Sequence, residues 1–217
     1  TIVVRGSTIY VGGDFTTIGG RDRHGLATLD ANTGMATAWN PDPNGVVYAI
    51  EPKGSTVYVG GYFSRIGGQW RSSLAALDSQ TGTATAWNPN CDAGVTALAT
   101  SGTTVYVGGG FYSIGRQLRP FIAAVDARTG LPTDWNPEMR WAAVNCLALQ
   151  GPAIYVGTYF VRPPFPGYPG GSDTGFAALP RSGDARSPAD DSFNESLVAE
   201  SSVPERQFAL SAPSPNP

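Results

Sequence analysis

A unit of about 48 residues is written three times in this chain, and a fourth time in worn form. Gly-Ser-Thr-Ile-Tyr-Val-Gly-Gly-Asp-Phe at 6–15 returns as Gly-Ser-Thr-Val-Tyr-Val-Gly-Gly-Tyr-Phe at 54–63. It returns again as Gly-Thr-Thr-Val-Tyr-Val-Gly-Gly-Gly-Phe at 102–111, and as Gly-Pro-Ala-Ile-Tyr-Val-Gly-Thr-Tyr-Phe at 151–160. A second signature, Trp-Asn-Pro, stands at 39–41, 87–89 and 135–137. Recurrence at this period means one supersecondary unit used repeatedly, each copy burying its faces against its neighbours. Few architectures satisfy that constraint.

The second copy shows the unit most clearly. Val46–Ile50 reads as a short apolar strand, turned at Lys53-Gly54 into Thr56–Tyr62, which is rich in β-branched and aromatic residues. After the Gly-Gly at 67–68, Ser73–Leu77 predicts a third strand and Thr83–Trp87 a fourth. Between these two lies Asp78-Ser-Gln-Thr-Gly82, with counterparts headed by Asp30 and Asp126. A leading Asp accepts backbone N–H bonds in such a turn, and the closing Gly supplies positive φ. No helical stripe of three turns interrupts the pattern, so the chain is read as all-β.

Four antiparallel strands in some 48 residues is the size of a β-propeller blade. Blades pack face on face, which accounts for Val-Tyr-Val and Ala-Ala-Leu runs in place of strict polar alternation. A β-helix needs shorter coils, and a sandwich gives no reason for a fixed recurrence. The phases predict four blades, at 1–45, 46–94, 95–143 and 144–180. The last is degenerate: it lacks Trp-Asn-Pro, carries the Pro- and Gly-rich stretch 163–171, and has Pro180 in place of the turn aspartate. Residues 181–217 have the composition of an extended linker. Ser196–Glu200 and Gln207–Ser211 are its only pieces apolar enough to add a strand to a sheet edge, in this chain or a neighbouring one.

The ordered set Tyr-Val-Gly-Gly-x-Phe, Gly-Gly-x-x-Arg, Leu-Asp-x-x-Thr-Gly and Trp-Asn-Pro resembles the bacterial delta-60-type repeat, over residues 1–180. The resemblance implies a β-propeller of secreted and surface proteins whose function is unknown. The ending Leu210-Ser-Ala-Pro-Ser-Pro-Asn-Pro217 resembles the opening of a type IX secretion sorting domain, without that domain's body, and implies export to the cell surface. A quinoprotein propeller is the rival. Ala76-Leu77-Asp78 to Gly82 suits its docking motif, but Trp87 lies one residue too far along, and no Glu/Asn/Asp metal set can be assembled.

Candidate chemistry is sparse. His24 is the single histidine, which excludes a zinc site of several imidazoles, and in the repeat frame it aligns with Ser72 and Pro120. It is expected to be an exposed loop residue. Arg23, Arg71 and Arg119 recur 48 residues apart. They could form a guanidinium ring for an anion or bridge each blade to the next, and the second reading is favoured. Trp39, Trp87 and Trp135 read as interblade packing in preference to a carbohydrate platform. Asp30, Asp78 and Asp126 belong to turns, with no clustered run for calcium. Cys91 and Cys146 permit a disulfide between neighbouring blades, although the strand position of Cys146 equally suits a thiol. Asn194-Glu195-Ser196 is a sequon, relevant only in a glycosylating host.

Charged residues make up 14% of the chain and the net charge is −3, which argues against a nucleic-acid surface. No apolar run approaches 18 residues, so a soluble chain without a membrane span is expected, any export signal having been removed or lying outside this sequence. The reading is a non-enzymatic, extracellular or cell-surface β-propeller with no cofactor or metal, binding a protein or surface glycan or serving as structure. A self-assembling subunit and a quinoprotein-type enzyme are the alternatives.

Overall fold

In the computed structural model, residues 1–139, 143–162 and 171–181 are described. Among them there is no helix, and every strand pairing is antiparallel. The first repeat contains β1 (Ile2–Arg5), β2 (Thr8–Gly12), β3 (Thr17–Ile18), β4 (Arg21–Asp22) and β5 (Leu26–Asp30). The second contains β6 (Val46–Lys53), β7 (Thr56–Tyr62), β8 (Arg65–Ile66), β9 (Gln69–Trp70) and β10 (Leu74–Asp78). The third contains β11 (Val95–Ser101), β12 (Thr104–Gly109), β13 (Ser113–Ile114), β14 (Gln117–Leu118) and β15 (Ile122–Asp126). The fourth supplies β16 (Ala143–Gln150), β17 (Ala153–Arg162) and β18 (Gly171–Pro180). Each repeat forms one three-stranded sheet with the Tyr-Val-Gly strand in the middle, and the first three add a two-residue hairpin. Among the described residues no sheet closes on itself.

The expected fourth strand of the first three repeats is absent as a strand. Its segment makes one bridge only, Ala36 to Leu29, Ala84 to Leu77 and Pro132 to Val125. The cause lies in competing partners. Thr85 still donates its N–H to Ala76 O and Thr83 O still accepts from Asp78, but Ala84 donates its N–H to Gly67 O in the hairpin and the Thr85 carbonyl accepts from Arg71. Two residues later Trp87 leaves for the neighbouring sheet, and Pro89 has no N–H to continue a ladder. The segment is a strap held at several points.

Successive sheets stack face to face, and three apolar clusters fill the spaces between them. Tyr10, Leu26 and Trp39 of the first repeat meet Val47, Val57 and Val59 of the second. Tyr58, Leu74 and Trp87 meet Val95, Val105 and Val107, and Tyr106, Ile122 and Trp135 meet Val144, Ile154 and Val156. Alternate residues of each middle strand thus face opposite neighbours, so both surfaces of the inner sheets are buried. The 163–171 stretch lies almost wholly outside the described residues.

Two glycines show why the repeat keeps its small residues. A methyl group on Gly60, in the middle of β7, would collide with Val95 of the next sheet. Gly67 turns the β8–β9 hairpin at φ 59°, and any Cβ there would strike the backbone N of Ala84. We therefore expect Gly67→Ala to destabilise the protein by more than about 1 kcal/mol, whereas Gly110→Ala, with open space around it, stays near neutral. Urea denaturation midpoints separate the two.

Candidate functional site

The recurring polar residues are placed by the strap and the turns. Arg23 donates from Nη1 to Asp22 O and from Nη2 to Thr37 O, both at 2.7 Å. Arg71 and Arg119 repeat this with Trp70 and Thr85, and with Leu118 and Thr133. The guanidinium groups therefore bridge within a repeat, tying strap to hairpin. The expected link from blade to blade is not what they make, because the Thr acceptor lies 14 residues on in the same unit. Their Nε atoms are buried without a partner. The carbonyl partners occupy the fork, and each Arg works as a clamp.

The tryptophans do reach across. Trp39 Nε1 donates to Asp78 O at 3.1 Å and Trp87 Nε1 to Asp126 O at 3.0 Å. Trp135 Nε1 donates to Pro180 O at 2.8 Å. Each acceptor is the last residue of the third strand in the following sheet. Each indole also stands edge-on to the tyrosine of its own middle strand: Tyr10, Tyr58 and Tyr106, with centroids 5.7, 5.1 and 5.5 Å away. All three indoles are buried. Their rings are unavailable as a carbohydrate platform.

Asp30, Asp78 and Asp126 close turns as expected. Asp78 Oδ1 accepts from the N–H of Gln80, the N–H of Thr81 and the Thr81 hydroxyl, and the other two match it. Bonds from Thr33 and Thr81 N–H, and above all the Thr129 hydroxyl at Asp126, hold these carboxyls below the usual carboxylate range. His24 is exposed and pairs through Nδ1 with Asp42 Oδ1 at 2.7 Å. Among the described residues no group of three or more His, Cys, Asp or Glu side chains converges. No described helix is long and apolar enough to cross a membrane.

The two cysteines are free. Cys91 lies in the core between the second and third sheets, bridged to Ile114, and burial pushes its thiol up to about 12. Cys146 is exposed on β16. The permitted disulfide is thus not formed here; burial of Cys91 between one pair of sheets and exposure of Cys146 on the next keep the sulfurs apart.

What the motifs do not reveal is a shallow groove of about 270 Å³ to which all four repeats contribute. Tyr48, Thr96 and Asn145, at matching positions of β6, β11 and β16, line it together with Thr1, Leu98 and Leu147. The available signal was variation: within a repeating frame, this position changes from aromatic to hydroxyl to amide.

No known protein family and no curated protein matches the sequence. Solved structures are similar to it in part, among them the following three. The computationally designed Ika8 protein is 18% identical, with 72% of this chain and 42% of that one covered and a TM-score of 0.47. The computationally designed Ika4 protein is 16% identical, with 81% and 88% covered and a TM-score of 0.48. The N-terminal domain of Nup159 is 10% identical, with 84% and 45% covered and a TM-score of 0.43. This chain therefore spans less than half the length of the Ika8 and Nup159 chains.

Truncating Trp87 to Ala should cost about 3–5 kcal/mol, as for large core aromatics. Trp87→Phe, which keeps the ring against Tyr58 but loses the bond to Asp126 O, should cost about 1 kcal/mol. Thermal denaturation reads both. The turn carboxyls set an acid dependence: their folded pKa lies below the unfolded one, so the stability they add is complete above the ordinary carboxylate range. It is lost as pH falls through that range toward the lowered folded values. Urea midpoints should decline on going from neutral pH to about pH 3, and an Asp30/Asp78/Asp126→Asn triple variant should flatten that decline.

Proposed function

We propose that this chain is a non-enzymatic, exported β-propeller that serves binding or structural roles at the cell surface. The observation that carries the reading is the shared groove. Matching first-strand residues of successive sheets line one depression, as expected when blades are set around a common axis and present a ligand surface there. The recurrent Arg, Trp and Asp groups, the residue types that carry chemistry elsewhere, are bonded to backbone in the fold itself. A protein segment or surface glycan would meet the Tyr48 ring and the Asn145 amide, side chains able to stack and to exchange hydrogen bonds, while the Thr96 hydroxyl between them already donates to Val144 O. The delta-60-like motifs and the Pro-Asn-Pro ending support export.

A second reading, a self-assembling subunit, is favoured by one observation. Phe176 is 72% exposed on the last sheet and stacks on Tyr155 at 5.7 Å, where the matching Leu74 and Tyr58 are buried by a following sheet. The tail strands suggested for that role, 196–200 and 207–211, lie outside the described residues.

Brief protease treatment of intact producing cells, followed by mass spectrometry, tests the location on which both readings depend. Peptides from residues 54–93 should be released before lysis. Their recovery only after lysis would overturn the reading.

A further inference from the structure

The interface between sheets is built from two unlike halves, and the first sheet carries the receiving half with no donating half on it among the described residues. The donating half is the sequence Trp-Asn-Pro-x-x-Asn/Asp. Besides the indole bond, the Pro41 carbonyl accepts from Gly67 N–H at 2.6 Å, and the Pro89 carbonyl accepts from Gly115 N–H at 2.7 Å. Asn44 Oδ1 accepts from the N–H groups of Ser64 and Arg65, both at 2.9 Å. Asp92 does the same for Tyr112 and Ser113 with its two oxygens, both at 3.0 Å. The closing glycine of the receiving turn, Gly82 or Gly130, has the preceding tryptophan beside it.

By repeat position the corresponding receiving groups of the first sheet are Gly19 N–H, Thr16 and Thr17 N–H, Asp30 C=O and Gly34. Among the described residues no proline carbonyl caps Gly19, no Asn or Asp side chain caps Thr16 and Thr17, and no indole reaches Asp30 O. Open space surrounds Gly34. Instead there is a groove of about 470 Å³ lined by Thr17, Ile18, Gly19, Gly20, Arg21 and Asp22. The apolar floor is open in the same way. Ile18 is only half-buried, although the matching Ile66 and Ile114 are fully buried. Ile2 is 69% exposed, while Ile50, paired identically to the next middle strand, is 6% exposed.

We propose that this face of the first sheet is a docking surface for a protein segment of the form Trp-Asn-Pro-x-x-Asn/Asp, the closing strap of another repeat. The proposal is continuous with an interface the chain already forms: donor, acceptor and apolar positions recur in the second and third sheets, where such a segment fills them. A second copy is the poorer occupant, because the outer face of the last sheet offers Phe176 and Tyr155 in place of an indole donor. The docking surface rests on the sheet contacts whether or not the chain is exported.

The probe is a synthetic peptide of residues 36–45, Ala-Thr-Ala-Trp-Asn-Pro-Asp-Pro-Asn-Gly, titrated into the whole chain with amide resonances followed by NMR. Saturable shifts centred on Thr16, Thr17 and Gly19 are expected. Peptides with Trp39→Ala or Asn44→Ala should bind about tenfold more weakly or not at all. Ile18→Glu in the chain should abolish the shifts, and the peptide variants keep the test decisive if that chain fails to fold. Absence of saturable binding at these amides, or equal binding of the altered peptides, would refute the proposal. So would self-association in sedimentation that Phe176→Glu abolishes and the peptide leaves untouched, since a second copy would then be the occupant.

Discussion

One hydrogen bond, made three times, sets the spacing on which the rest depends: an indole N–H of one repeat to the backbone carbonyl ending the third strand of the next. It requires tryptophan to leave its own sheet, which is why the strap after each Asp turn bridges the sheet once and then departs. It also brings the ring against its own tyrosine edge-on, an arrangement favoured by the ring quadrupoles. The indole thus couples the interior of one sheet to the rim of another, and apolar packing of the valine faces completes the contact. Arginine supports it indirectly. By holding Thr37, Thr85 and Thr133 to their hairpins, the guanidinium groups fix the strap two residues before each tryptophan.

Much of this was legible in the residues. The middle strands, the Asp turns and the burial of the tryptophans arise from β-branched runs, turn chemistry and recurrence. Three features were not legible. The Thr83–Trp87 segment reads as a strand because its composition suits one, but Gly67 and Arg71 claim backbone groups of Ala84 and Thr85 while the Trp87 indole goes to the neighbouring sheet, and composition carries no trace of such competition. The arginines read as links between repeats because periodicity marks a structural role without saying whom the side chain meets. The groove at Tyr48, Thr96 and Asn145 was hidden for the opposite reason: attention goes to what recurs, and a ligand surface in a repeat protein sits where the residues differ.

The glycines of Tyr-Val-Gly-Gly belong to the same logic of close approach. Side chains at Gly60 and Gly108 would strike the first-strand valines, Val95 and Val144, of the sheets after them. The distance between sheets is thereby set from below by a missing Cβ and from above by an indole that must reach a carbonyl. Both limits act between immediate neighbours, so each contact depends on two repeats alone.

Pro180 reveals the consequence of using a backbone acceptor. In the fourth repeat the turn aspartate is gone, and with it the side-chain cap, yet the proline carbonyl still receives Trp135 at 2.8 Å. The clasp reads the path of the main chain and is blind to the residue written there. Mutation can therefore erode the turn of a receiving unit without releasing it from its neighbour, whereas loss of the donating tryptophan removes the bond itself and weakens the contact directly. Drift in such an array is asymmetric: a worn repeat can remain attached to the one before it while ceasing to hold the one after.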